Sequence, residues 1–317
     1  MSKRTIANFC AFVILSAVSL LIFSACSNLS SNTGVRAAPD SHYLPPKVVG
    51  TIKSKDIEES SGVAVSRCQA NVLWTHNDSG DDAYIYAINT AGEGLGVWRV
   101  PNAENNDWED IATYKDSTGK CYLYLGDTGD NKGKRPEHTI YRVKEPVVTE
   151  SDSSSSRKQP LATENADLIK FRYSDYSQDA ETLMVHPRTT DIYIVTKRVS
   201  GPAGVYCLRN PQFAGGIAKL EKVTDISVPA VPNGFVTGGD ISPDGRRVAI
   251  CDYTQGYEWT LPEGDQNFDD VWKQEPEPVD LGKREHGEAI SYSIDGTSLF
   301  ATSEHRNSPV IEVKRRQ

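Results

Sequence analysis

The chain has 317 residues, with 43 Asp and Glu against 34 Lys and Arg and a formal net charge of −9. A phosphate backbone needs a basic face, so this balance argues against nucleic acid as a partner. Apolar residues make up 38% and charged residues 24%, a mixture that supports a folded core inside a soluble body.

The first element expected is a targeting segment. Lys3 and Arg4 precede an apolar stretch, Phe9 to Phe23, that runs into Ser24-Ala25-Cys26. A positive start, a short apolar run and small residues before a cysteine have the form of a secretory signal over residues 1–25. The string LIFSAC resembles the lipobox of bacterial lipoproteins, which implies lipidation at Cys26 and a bacterial cell-envelope location facing the periplasm or the exterior. A plain signal peptide and an uncleaved anchor are the alternatives. Residues 26–46 are rich in Ser, Asn, Ala and Pro without an apolar period, and read as a flexible tether from the membrane.

From residue 47 to 317 the chain reads as one domain built from a repeat. Five related phrases occur: ESSGVAV (Glu59–Val65), DWEDIAT (Asp107–Thr113), DAETLMV (Asp179–Val185), TGGDISP (Thr237–Pro243) and HGEAISY (His286–Tyr292). Each precedes a polar turn and a second apolar run, which ends at Asp78, Asp127, Lys197, Asp252 or Glu304. Turn residues such as Asp244-Gly245 and Asp295-Gly296 fall at matching offsets. No long segment holds an apolar period of a helix. This grammar predicts an all-β fold, a β-propeller of five blades with four antiparallel strands each; six blades is the alternative. The last repeat lacks an outer strand, and KVVGTI (Lys47–Ile52) is expected to supply it and close the ring. The polar segment Thr149–Pro160 reads as a mobile surface insertion. Cys68 and Cys121 sit at the first hairpin turns of neighbouring repeats and are one possible disulfide among Cys68, Cys121, Cys207 and Cys251.

In such a ring the first strand of every blade lines the central channel, and the second strand pairs antiparallel beside it. Strand starts and second-strand ends then share one mouth. The starts bring Glu59, Asp107, Glu109, Asp179, Glu181, Asp240 and Glu288; the ends bring Asp78, Asp127, Asp252 and Glu304, with Lys197 as the one cation. Crowded carboxylates repel unless they are protonated, capped by backbone amides, or bridged by a cation. Oxygen-only donors favour a hard ion, and Ca²⁺ tolerates an irregular cage. Glu59, Asp107, Glu109, Asp179, Glu181, Asp240 and Glu288 are therefore the expected ligands, with structural capping as the competing explanation. The loops NDSGDD (Asn77–Asp82) and GDTGDN (Gly126–Asn131) read as Asx turns, with a partial calcium loop as the alternative.

The phrases ESSGVAV, DWEDIAT and HGEAISY resemble the blade grammar of phytase-like and TolB-like bacterial propellers. NDSGD, DWEDIA, GDTGDN and DAETL together are similar to a family of secreted bacterial propellers. The phytase-like resemblance implies calcium and a phosphoester substrate, whereas a phosphate-binding mouth wants several cations and only Lys197 and Arg198 stand at the expected positions. No nucleophile elbow, HExxH, Walker loop or dinucleotide fingerprint occurs. His286, as ligand or general base, and Lys197, as electrophile or salt-bridge partner, are the candidate catalytic residues. Two functions follow as expectations. In one, a monomeric propeller tethered to the membrane holds a cation and a small-molecule, glycan or protein ligand at its acidic mouth. In the other, it is a calcium-dependent hydrolase of an ester, lactone or phosphoester.

Overall fold

A computed structural model describes residues 41–213, 215–229 and 232–316. The expected signal segment, Cys26 and the tether up to residue 40 lie outside the described residues. Among the described residues no helix is long and apolar enough to cross a membrane.

The strands form five small sheets arranged as a five-bladed β-propeller. Blade one consists of Ser60–Val65, Leu73–Asn77, Tyr84–Ile88 and Gly94–Arg99; blade two of Trp108–Lys115, Cys121–Asp127, His138–Lys144 and Asp167–Arg172. Blade three holds Ala180–Val185, Ile192–Thr196, Ala203–Leu208 and Glu221–Ile226, and blade four holds Gly238–Ile241, Arg247–Cys251, Gly256–Thr260 and Glu277–Val279. Blade five takes Ala289–Tyr292, Ser298–Thr302 and Pro309–Lys314, and its outer strand is Lys47–Thr51 from the front of the domain. That strand pairs antiparallel with Pro309–Lys314, so the two ends of the domain meet in one sheet. Each first strand packs on that of the next blade, and blade five returns to blade one.

Inner strands such as Ser60–Val65 and Ala180–Val185 are buried along their whole length, because neighbouring blades cover both faces. The core is correspondingly divided among the blade interfaces. Trp74, Trp98, Trp108 and Leu123 fill the space between blades one and two. Tyr124, Phe171, Ile194 and Tyr206 do so between two and three, and Tyr193, Val205, Ile250 and Trp259 between three and four. Burying one large side chain of this kind contributes about 3 kcal/mol, so each interface rests on a handful of residues.

Three features differ from the sequence expectation. Blades one and two each carry a fifth, outer strand, Leu161–Ala162 and Ile217–Lys219, and both pair in parallel. The 149–160 segment, read as a mobile insertion, is docked on blade one: Glu150–Ser154 form a 3₁₀ turn, and Ser155 Oγ accepts the Val97 N–H at 2.8 Å. Its many short polar side chains hydrogen-bond their own backbone, and composition alone does not reveal that. The folded domain also begins before Lys47. Tyr43 is buried, and its hydroxyl donates to Glu258 at 2.5 Å, so the last residues assigned to the tether belong to the propeller. A disulfide joins Cys68 to Cys121 and links the first hairpins of blades one and two; Cys207 and Cys251 are buried free thiols.

Candidate metal centre

Antiparallel pairing of the first two strands brings start and end together at one mouth. The Asp78 N–H donates to the Glu59 carbonyl at 3.0 Å, Lys197 N–H to the Asp179 carbonyl at 2.9 Å, and Glu304 N–H to the His286 carbonyl at 2.9 Å. Two residues after each of these starts comes an equivalent position, occupied by Ser61, Glu109, Glu181, Gly239 and Glu288 in blades one to five. The strand register slips at this position in blades one, two and three, between Ser60 and Val63, Trp108 and Asp110, and Ala180 and Thr182. Such a bulge leaves a residue out of the ladder and re-aims its side chain. In blades two and three the displaced residues are Glu109 and Glu181.

The result is a chain of carboxylates with Glu109 at its centre. Oxygens of Asp78, Asp107 and Glu109 lie within 4.8 Å of one another, and so do oxygens of Glu109, Asp179 and Glu181. Glu109 and Glu181 are nearly fully buried and close enough for one proton to bridge them. Burial is the main force raising the pKa of Asp107, Glu109, Asp179, Glu181, Glu288 and Glu59, and nearby carboxylates add to it. Asp107 is pushed up to about 6 by burial with Asp78 and Asp179 nearby. Burial raises Glu109 well above the usual range, and Glu181, Asp78, Asp107 and Asp179 raise it further. Glu181 stands at about 7, raised by burial and relieved in part by Lys197. Glu288 stands at about 9, raised by burial and by Glu181, and its Oε2 is buried with no hydrogen-bond partner. Burial likewise raises Asp179 and Glu59, the latter with help from Asp78 and Glu304.

Two cations answer part of this charge: Arg135 lowers the pKa of Asp107, and Lys197 reaches Glu181. Lys197 Nζ lies 2.8 Å from Glu181 Oε1 and 3.4 Å from the Tyr253 hydroxyl, and it sits over the rings of Phe235 and Tyr253. Burial disfavours its charge, yet Glu181 and Glu288 together push its pKa up. The other expected catalytic residue, His286, turns to a different partner: its Nδ1 is 2.9 Å from His305 Nε2, and its ring packs on Tyr253.

Of the seven expected ligands, Glu109 belongs to both carboxylate triads, with Asp107 in one and Asp179 and Glu181 in the other. From blade one Glu59 faces Asp78 and Glu304, and from blade five Glu288 faces Glu181, Glu304 and Asp78. Asp240 does not join them, because it sits one position further along its strand than the glutamates. Its Oδ1 accepts the Ile241 N–H, and its Oδ2 accepts Tyr292 N–H, Ser291 Oγ–H and Arg67. It ties blade four to blade five as Asp110 ties blade two to blade three through Leu183 N–H. Two strand-end acids are similarly drawn into capping. Asp127 holds Asp107 N–H and Arg135, and Asp252 holds Thr254, Gln255 and Tyr257.

The two Asx loops are structural, yet they shape the centre. Asn77 accepts Glu58 and Glu59 N–H and fixes the start of blade one, which leaves Asp78 facing the channel. In the second loop, Asp130 N–H donates to Asp179 Oδ1 at 2.7 Å, and the Gly129 backbone lies directly on the carboxylates. A Cβ at Gly129 would stand 2.1 Å from Glu109 Oε1 and 2.5 Å from Asp107 Oδ2. Asp78, which the sequence reading placed at the mouth but not among the expected ligands, lies in one of the carboxylate triads, and Gly129, Phe235 and Tyr253 also touch the centre. The DTGD spacing after a strand was the available signal for Gly129. A surface cavity of about 900 Å³, lined by Asp244, Arg247, Asp295 and Arg315, lies by the hairpin turns at the opposite end of the strands and holds none of the expected site residues. Compared with family models and with curated proteins, the chain matches none.

Proposed function

We propose that the acidic mouth binds a divalent cation, Ca²⁺ by donor chemistry, and that the cation-loaded rim recognises a ligand or protein partner outside the cytoplasm. The observation that carries this reading is the pair of carboxylate triads sharing Glu109. Asp78, Asp107, Glu109, Asp179 and Glu181 offer five carboxylates, answered among the described residues by the Lys197 ammonium on Glu181 and by Arg135 near Asp107, in a site where burial disfavours their charged forms. A hard cation offsets that penalty and accepts oxygen donors of uneven geometry. Tethering at Cys26 would set the propeller at a membrane surface with this mouth free to meet a small molecule, a glycan or a protein.

The test is metal analysis of protein purified without chelator, compared with Glu109→Gln combined with Glu181→Gln. Wild type is expected to retain one calcium per chain and the double variant to lose it. Equal metal content in both would remove these residues from the site.

A second reading is favoured by Lys197, whose ammonium stands 2.8 Å from Glu181 at the edge of the carboxylates, where a substrate anion and a bound cation could meet. In it the protein hydrolyses an ester, lactone or phosphoester, with Lys197 anchoring an anionic substrate and His286 at the rim. Calcium-dependent turnover of a simple ester, lactone or phosphoester panel that is lost in Glu181→Gln supports it. Absence of turnover in calcium-loaded wild type discards it.

A further inference from the structure

We infer that His286, Glu304 and His305 form a second metal site at the rim of the mouth, built for Zn²⁺ and separate from the carboxylate cradle. The three side chains bring two imidazole nitrogens and a carboxylate oxygen within 4.8 Å of one another. His286 Nδ1 lies 2.9 Å from His305 Nε2 and 3.8 Å from Glu304 Oε2. Zinc–nitrogen bonds of about 2.0 Å in a tetrahedral shell set two ligand nitrogens about 3.3 Å apart. The two distances that include His286 Nδ1 are thus within half an ångström or so of a zinc-bound arrangement.

The backbone holds two of the three ligands. His286 and Glu304 face each other at the start and end of the first two strands of blade five. The His286 carbonyl accepts both the Glu304 N–H at 2.9 Å and the Ser303 hydroxyl at 2.6 Å, while His286 N–H donates back to Ser303 Oγ at 3.0 Å. The third ligand is brought round by a tight turn in which His305 adopts φ 74°, a left-handed conformation that disfavours most side chains by about 1–2 kcal/mol. Asn or Gly would hold that turn with less strain. A histidine there sends its ring onto His286 instead.

The donor set differs in kind from the oxygen-only cradle. Imidazole suits zinc and its neighbours in the first transition row, whereas calcium avoids it. Two histidines and a glutamate are also a three-ligand set that leaves a tetrahedral ion one position for water or an incoming oxygen. The His286 side chain is 45% exposed and Glu304 23%, so an ion can enter and the free position is reachable from solvent. Glu304 also stands close enough to Glu59 and Glu288 to raise their pKa values, which puts this ion at the edge of the acidic mouth.

The experiment is a zinc titration of full-length, chelator-stripped protein against a chromophoric competitor, followed by X-ray absorption at the zinc edge. The variants are His305→Asn, which keeps a residue tolerant of the left-handed turn, Glu304→Gln, and the Glu109→Gln/Glu181→Gln pair. Wild type is expected to bind one Zn²⁺ with two imidazoles in its scattering. His305→Asn, with an unchanged melting temperature, should weaken binding by about 100-fold or more, since even removing a ligand's supporting partner typically costs 10–100-fold. The carboxylate pair should retain zinc. Failure of wild type to bind zinc, unchanged affinity in His305→Asn, or loss of zinc only in the carboxylate pair would each overturn the assignment. Calcium binding, read separately, is expected to be lost only in that pair, so the two sites fail independently.

Discussion

Replacing Glu288 with Gln should stabilise the cation-free protein. The carboxyl is nearly fully buried, its Oε2 has no partner, and its pKa is pushed from 4.5 to about 9, first by burial and then by Glu181. The unfolded chain loses this proton near pH 4.5, whereas the folded chain keeps it to about pH 9. The stabilisation that protonation lends the fold is fully present below the unfolded value and drains away as pH rises through the folded one. At about pH 7.5 the folded protein must hold a proton that the solvent withholds, at about 1.4 kcal/mol for each of some 3 pH units, or about 4 kcal/mol. Glutamine keeps the shape of the protonated acid without this penalty. The expected result, by urea unfolding of chelator-treated protein, is a gain approaching that figure near neutrality that vanishes at about pH 4.5. In a domain of this size the same change should raise the melting temperature by roughly 10 °C. A loss of stability at neutral pH, or a gain of equal size in acid, would refute the argument that the mouth stores electrostatic strain.

Other consequences follow from neighbouring groups. Gly129→Ala should weaken calcium binding sharply and destabilise by about 1–3 kcal/mol, because its Cβ meets Glu109 and Asp107; calorimetric titration and a thermal melt read both. Cys68→Ser with Cys121→Ser opens a loop with a sequence separation of 53 and should cost about 4 kcal/mol by the chain-entropy relation, read as a lower urea midpoint. His138 is buried against Phe171 and Tyr173, and burial holds its pKa down to about 4. Its neutral form supports the fold fully above about pH 6.5, and that support drains as pH falls toward the folded value, to a total of about 3 kcal/mol. His138→Gln should therefore flatten the acid limb of stability, and an unchanged limb would assign the acid sensitivity elsewhere.

The fold was legible because the repeat states it several times. Strand, turn and strand recur with Asp-Gly turns at fixed offsets, and only Lys47–Thr51 was left to complete the last sheet. The mouth was legible to the level of a strand start but not to a side chain. Asp240 and Glu109 both belong to the first strand of a blade, yet one residue of displacement sends Asp240 into the joint between blades. A bulge instead turns Glu109 to the channel. Bulges leave no composition signal, so which acids gather at the centre could not be read to the residue. The same holds for Asp127 and Asp252, whose neighbours at Arg135 and Thr254 decide that they cap loops. The sequence places His305 near the mouth but does not show its pairing with His286, because that approach depends on one unusual backbone angle.

Blades one and four show what the ring needs for closure alone. At the position where blades two, three and five place Glu109, Glu181 and Glu288, they have Ser61 and Gly239. Ser61 donates to the Glu109 carbonyl at 2.7 Å and joins two blades without charge. Gly239 leaves no side chain at all. Neutral solutions therefore coexist in the same molecule with three buried acids that burial and one another's presence force to hold protons toward neutral pH, at a cost to folding. Capping does not account for the difference: among the described residues no backbone N–H donates to any of the three glutamate side chains, Glu181 accepting from Lys197 instead, and in blade two the inter-blade capping falls to Asp110. What the glutamates add is carboxylate oxygen concentrated where several strands converge; under the proposed function a cation would displace their protons and turn that liability into affinity. Gln at any of the three should then trade binding for stability, whereas Ala at Ser61 should lower stability and leave cation affinity unchanged.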